Sequence, residues 1–497
     1  MLKIKTLSKF KVKDNRLFVF GLLSGYTVFI LTTLGSIFLI PYVLRYLTEN
    51  EYGAYTLLLE LFGWLIVTDL GVVSVFNSKG AHFNGRLNDK ELTSWFNTVF
   101  FSQLISALIP FLALMVFGLS WPIFLGAEVM KIEGIVALIL LLSLSFLIDY
   151  VSRPLRSLLL VRKKIYQINI IELLFFFIRF ILILICLYLD YGMVSFGVAT
   201  ITARLFAVTL AAVLTRRDLW RLKPKYFDKG VLKYLFGNGL WITLGGLAGI
   251  LILRTDSFLI NRYLTLSLVG TFYLNKRLWD YAEKLHSKYL DTYRPFLSNI
   301  YGQESNLRFN ETSINLQITS LLLSLIIGSG VYFLSEIFIT IIADESYYLG
   351  GTMSALFFIQ FLVQSNVLPL RIILATSLYK VRKHNLSRIF EGLMKVLFSI
   401  ILLKSIGLKG LIIASIATSL LSSHIILRRY VGQLISLKTV FIFIPIIVLI
   451  LGLTVMLTIS SDYERMIVAL TIIMIGIVLW KLISKNNKTL RGLMIIQ

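Results

Sequence analysis

Charge is scarce in this chain, and cysteine is almost missing. Only 15% of the 497 residues are charged, where a soluble domain carries about a quarter. The one cysteine, Cys186, lies inside an apolar run. It excludes a disulfide within the chain and reads as a buried, inert thiol. Histidine is sparse too: His82, His286, His384 and His424 are scattered, with no HExxH pair and no cysteine partner of the kind a zinc site needs. No GxxxxGK(S/T) loop is present, which excludes ATP hydrolysis by that route. Gly237-Asn238-Gly239 opens like a dinucleotide fingerprint but lacks the third glycine and a preceding strand. It reads instead as a point where a helix packs closely or bends. No nucleophile stands beside a base, and no loop is long enough to fold separately. The chain asks for no cofactor and is read as not an enzyme.

What fills the sequence is apolar. Hydrophobic residues make up 57% of it, and the mean hydropathy is +0.83. Run after run reaches the roughly 20 residues that cross a bilayer. Reading them off predicts about fourteen spans, at 18–44, 52–76, 95–118, 132–151, 166–189, 193–214, 233–255, 266–286, 313–334, 350–374, 388–406, 410–427, 439–459 and 465–483. The net charge of +23 invites a nucleic-acid reading, but the basic residues cluster in the two tails and in alternate loops. That is the pattern of a polytopic membrane protein with its basic side in the cytoplasm. Both termini are therefore expected inside, and no nucleic-acid partner is expected. Lys3, Lys5, Lys9, Lys11, Lys13 and Arg16, interleaved with Leu7, Phe10 and Val12, suit either the anionic inner leaflet or a plain topogenic tail. No cleavage site follows them, so no removed signal peptide is expected.

The chain repeats itself. Arg45-Tyr46-Leu47-Thr48 recurs as Arg262-Tyr263-Leu264-Thr265, and Gly53 recurs at the same offset as Gly270. A separation of about 217 residues is too long for a solenoid and suits a duplicated bundle of helices. Transporters built from two like bundles place their site between the halves. The basic linker TRRDLWRLKPKYFDKG (215–230), with Pro224 inside it, is the natural divide. The expected organisation is a basic segment at 1–17, a first lobe at 18–220 with spans one to six, and a second lobe at 221–430 with spans seven to twelve. Two further spans and a basic tail occupy 431–497.

Charges inside spans are costly, so they face the bundle interior, pair, or line a wet path. Glu60 and Asp69 fall in span two, Asp149 in span four, Glu172 and Arg179 in span five, and Arg204 in span six. Arg254 and Asp256 end span seven, and Arg371 lies in span ten. Glu391 and Lys395 stand at i, i+4 on span eleven, where they are expected to neutralise each other. Span eight is the most polar, with Lys276, Arg277, Asp280, Glu283, Lys284 and His286 within three turns. It reads either as a helix at membrane depth or as a cytoplasmic amphipathic helix. At the repeat offset Glu60 corresponds to Arg277 and Asp69 to His286, acid in one lobe against base in the other. The cationic set suits an anionic ligand, because arginine forks match phosphate oxygens and lysine adds a point charge. Arg179, Arg204, Arg277, Lys276, Arg371 and Arg254 are the expected substrate residues, with Arg254 the readiest to be a snorkelling anchor.

The residues also carry a family resemblance. PYVLRYLTENEYGAY followed by LLLELFGWLIVTDLGVVSVFNSKGA resembles the opening of Wzx-type polysaccharide flippases, through Pro41, Arg45, Leu47, Glu51, Tyr52, Gly53, Tyr55, Asp69, Leu70 and Gly71. RTDSFLINRYLTLSLVGTFY, with Asp256, resembles the same family in the second lobe. The resemblance implies a member of the multidrug/oligosaccharidyl-lipid/polysaccharide exporter superfamily: an all-α membrane protein, two six-helix lobes in a V (MATE-like), plus two C-terminal helices. It implies a flippase moving undecaprenyl-diphosphate-linked oligosaccharide across the bacterial inner membrane for O-antigen or capsule assembly. Expected partners are that lipid-linked oligosaccharide, membrane lipid and the polymerase or chain-length proteins of the same route. H+, Na+ or the membrane potential would drive it, with Asp69, Asp280 and Glu283 as coupling candidates. The 23 Tyr, 36 Phe and 7 Trp could stack on sugars, although lipid and interface packing accounts for most of them. Three other readings stay open. A lipid II flippase shares the pyrophosphate head group, and a drug/cation antiporter shares the scaffold but would call for an acid on span one, which has none. A membrane glycan polymerase would need larger external loops.

Overall fold

A bilayer offers no water to backbone N–H and C=O groups, so an apolar run must satisfy them internally, as a helix does. The computed structural model describes residues 2–83, 89–108, 110–112, 127–162, 164–291, 297, 306–376 and 381–421. Among these, every long apolar run is helical and no strand occurs. Among the described residues, eight helices are long and apolar enough to cross a membrane. Spans thirteen and fourteen and the basic tail lie outside the described residues. The chain divides into two compact units, Met1–Leu247 and Ala248–Gln497.

The first unit contains α1 (Leu2–Tyr46), α2 (Glu49–Trp64), α3 (Val72–Phe83), α4 (Asp89–Ser106), α5 (Ile135–Val161), α6 (Ile165–Tyr188) and α7 (Val194–Leu214), and most of α8 (Lys229–Leu253). Lipid tails are as apolar as leucine, so helices in a bilayer associate through close packing of small side chains. Helix α7 shows this. Ser195, Ala199, Ala203, Ala207, Ala211 and Thr215 recur at every fourth residue and are all buried, giving a smooth stripe on which α5 and α6 pack. Arg204 is the next residue after Ala203, just off that stripe.

Thr48 explains one side of the repeated RYLT. Its hydroxyl accepts from the Glu51 amide while the Glu51 carboxylate accepts from Thr48 N at 2.7 Å, a complete capping box at the start of α2. In the second unit Thr265 Oγ1 accepts from the Leu268 amide at 3.4 Å, before α10 (Leu266–Asp291). Each copy ends one helix and caps the next.

The expected span two is not one helix. After α2 the chain tightens into a 3-10 turn, Leu65–Asp69, and then passes through Leu70 and Gly71 at φ 50° and 69°. These left-handed residues reverse the local winding before α3 begins. The break lets Gly71 meet the backbone of Gly239 on α8, where a methyl on either glycine would collide with the other segment's carbonyl. The Gly237-Asn238-Gly239 run is thus a packing contact through its second glycine.

The second unit holds α9 (Thr255–Tyr263), α10, α11 (Asn306–Ile342), α12 (Gly351–Thr376), α13 (Val381–Ile406) and α14 (Leu408–Thr418). Its α10 runs unbroken through the segment where the first unit breaks. Elsewhere the duplication persists in the details. Gly134 and Gly350, both at positive φ, precede α5 and α12, and Gly192 and Gly407 precede α7 and α14. Pro154-Leu155-Arg156 inside α5 recurs as Pro369-Leu370-Arg371 inside α12. The small-residue stripe of α7 returns on α14 as buried Gly410, Ala414 and Thr418, at an offset of about 215 residues.

Candidate substrate cavities

In the first unit, Asp149 on α5 gathers three guanidinium groups. Arg153 lies at 3.3 Å and Arg156 at 2.6 Å on the same helix, and Arg204 reaches it from α7 at 2.7 Å. Spacings of four and seven residues bring both α5 arginines to the face of Asp149. Arg204 also lies over the Phe175 ring at 4.1 Å, a cation–π contact that holds the guanidinium plane. A cavity of about 420 Å³ opens beside this cluster, lined by Thr32, Asp149, Arg156, Glu172, Phe175 and Arg204 among others. Three arginines set against Asp149 and Glu172 leave one positive charge beside the cavity.

Arg179 is held apart from that carboxylate. Its Nη2 donates to Tyr55 Oη at 2.5 Å and its Nε to Thr200 Oγ1 at 3.0 Å, while the Tyr55 ring stacks on Phe196 at 4.1 Å. Asp69 sits at the break after α2, buried, with Gln103 of α4 donating to it.

In the second unit, polar groups four residues apart pair along α10. Lys276 meets Asp280 at 3.3 Å, and Arg277 Nε donates to Tyr281 Oη at 3.1 Å. His286 is fully buried, its Nε2 3.0 Å from Ser320 Oγ. A cavity of about 330 Å³ is bordered by Glu283, His286, Gln364, Arg371, Arg388 and Glu391 with apolar neighbours. Glu283 also borders a smaller void with Lys276, Asp280, Asp256 and Lys395. Arg254 is the N-cap residue of α9, where its carbonyl accepts from Ser257 at 3.4 Å.

The i, i+4 neutralisation expected of Glu391 and Lys395 does not occur. Glu391 accepts from Arg371 at 3.3 Å, and Lys395 pairs with Asp256 at 2.9 Å. Glu391, Lys395 and Asp256 are all buried and Arg371 is half-buried, and a buried charge needs a near counter-charge more than a helix needs a local pair. Sequence reasoning misses Arg153, Arg156 and Arg388, although Asp149 with Arg153 and Arg156 is a legible spacing and the repeated Pro-Leu-Arg marks Arg156 beside Arg371.

A family model described as a polysaccharide biosynthesis protein matches residues 43–348, well over half of the chain. The chain belongs to that family. Among solved structures its fold is similar to an inward-facing multidrug resistance MATE family transporter of the MOP superfamily (TM-score 0.67, 13% identity, 83% of this chain and 98% of that one). The MATE multidrug transporter DinF-BH matches at TM-score 0.62 and 16% identity, over 86% and 96% of the two chains. A MOP superfamily transporter from Pyrococcus furiosus, described by a reverse polarity of its binding pocket, matches at 0.61 and 16%, over 85% and 96%. No curated protein matches the chain significantly. Identities this low carry the fold alone. The Wzx-like resemblance of the sequence thus meets a polysaccharide biosynthesis family and a MATE-like fold, in a chain whose described residues hold eight helices long and apolar enough to cross a membrane.

Proposed function

We propose that this protein moves an undecaprenyl-diphosphate-linked oligosaccharide from the inner to the outer leaflet of the bacterial inner membrane by alternating access. The observation that carries this reading is the Asp149 cluster. Three arginines around Asp149, beside a cavity of about 420 Å³ walled by Phe175 and also lined by Glu172, keep a net positive charge that suits a pyrophosphate with sugar rings attached. Pyrophosphate in a low-dielectric cavity needs several cationic donors to offset its lost hydration, and guanidinium forks supply them in matched pairs. Arg204, Arg179, Arg277, Lys276, Arg371 and Arg254 are the substrate set in this reading, with Arg156 added to it. Asp69, Asp280 and Glu283 are the coupling acids, and Glu283 is the foremost because it borders two voids among the described residues of the second unit. The lobes are divided near residue 220, both termini face the cytoplasm, and polymerase or chain-length proteins take the product.

The test is reconstitution of the purified chain into proteoliposomes loaded with a fluorescent undecaprenyl-diphosphate oligosaccharide. Protection of the sugar from an external glycosidase should change with time, and Arg204→Glu or Arg156→Glu should abolish the change. Equal rates with an undecaprenyl-monophosphate sugar, or ethidium movement without sugar movement, would overturn the reading.

A further inference from the structure

Span seven breaks at Arg254, between α8 and α9, with φ −121° and ψ 0°. A break in a helix frees backbone carbonyls from their usual donors, and in membrane transporters such carbonyls commonly coordinate a coupling cation. In this chain an ammonium group occupies that position. Lys395 Nζ, from α13, donates to the carbonyl of Ile252 and meets the two oxygens of Asp256 at 2.9 and 3.0 Å. An ammonium has three N–H groups; the Ile252 carbonyl and Asp256 Oδ2 accept two of them, and Asp256 Oδ1 stands within ion-pair distance without a hydrogen bond of its own. Lys395 is 2% exposed and Asp256 3%, so the arrangement is sealed from solvent. A void of about 30 Å³ borders Ile252, Asp256 and Lys395, room for about one water.

A carboxylate, a freed carbonyl and a neighbouring water are also what a hard alkali cation takes as ligands. We infer that Lys395 is a tethered cation, filling from within the chain a cation site formed by Asp256 and the Ile252 carbonyl. The second unit therefore binds no diffusible Na+ at this break, and the ion that the break would otherwise recruit is covalently supplied. Truncating the lysine should convert the position into a site for a small cation, with water replacing part of the lost side chain. An ordinary ion pair without this ligand geometry would gain no such selectivity.

The experiment uses the full chain purified in detergent, with its melting temperature followed in NaCl, LiCl, KCl and choline chloride at constant ionic strength. Wild type should melt at the same temperature in all four. Lys395→Ala should melt about 5–10 °C lower in choline and recover most of that loss in Na+ or Li+ with saturable dependence. The neutral double variant Asp256→Asn/Lys395→Met should fold and show no cation dependence. Selective stabilisation of wild type by Na+, or a Lys395→Ala chain that melts alike in Na+ and choline, would overturn the inference. So would failure to recover Lys395→Ala even in NaCl when the double variant is recovered, because the vacated position would then not accept a free cation.

Discussion

Gln103 donates to Asp69 in the first unit, and about 217 residues further on Ser320 meets His286 at 3.0 Å in the second. The repeat offset carries Asp69 to His286 and Gln103 to Ser320 together. Both partners of the contact have been kept in register while their chemistry changed, an acid with an amide becoming an imidazole with a hydroxyl. The two lobes share a scaffold and differ in charge at the same point.

Removing one partner of that contact should be costly. Gln103→Leu takes away the side-chain donor of a buried carboxylate and should destabilise the chain by about 1–3 kcal/mol. Asp69→Asn/Gln103→Leu should recover more than half of the loss, since no charge is then left buried. Thermal unfolding of both variants in detergent decides the matter, and equal melting temperatures would dissociate Gln103 from Asp69.

Asp149 holds three arginines, so its loss strands more charge than the loss of any one of them. Asp149→Asn should cost about 1–3 kcal/mol, less than a sealed pair would, because Asp149 and its arginines are half-buried beside a cavity. Arg204→Lys keeps the charge but gives up the planar contact with Phe175, worth about 0.5–2 kcal/mol. Flipping measured in proteoliposomes should fall several-fold in Arg204→Lys and vanish in Arg204→Glu.

The partners of span eleven can be separated by double-mutant cycles. Arg371→Gln with Glu391→Gln should give a coupling of about 0.5–3 kcal/mol, whereas Glu391→Gln with Lys395→Met should be near additive. A larger coupling within span eleven than between Arg371 and Glu391 would contradict the pairing.

The two glycines that meet at the break after α2, Gly71 and Gly239 of α8, should tolerate nothing larger. Gly71→Ala forces a side chain onto a left-handed residue, a penalty of about 1–2 kcal/mol before any clash, and also meets the Gly239 carbonyl. Gly239→Ala meets the Leu70 carbonyl. Gly237→Ala, whose added methyl would find open space, should be neutral or slightly stabilising. Yields of monodisperse protein and melting temperatures should rise through the three in that order.

Much of the scaffold is legible in the residues themselves. Hydropathy locates the long helices, RYLT marks the start of the second span in each lobe, and the pairing of Lys276 with Asp280 follows from helical spacing. The partners of Asp149 are partly legible, since Arg153 and Arg156 stand four and seven residues away. The choice of Asp256 by Lys395 is not, because about 139 residues lie between them, and a nearer acid at i−4 offers a local answer. Nor does hydropathy reveal the break at Leu70 and Gly71, because a 3-10 turn and two left-handed residues fit the same apolar composition as a helix.

By itself the sequence determined that this is a membrane protein of repeated helical bundles with cations buried among its spans. These properties depend on solvent preference and on neighbours within a few turns. Tertiary structure decided which charges answer one another, where a span breaks, and which arginines share a cavity. A buried charge finds its partner by proximity in space, and the low dielectric around it makes that partner decisive.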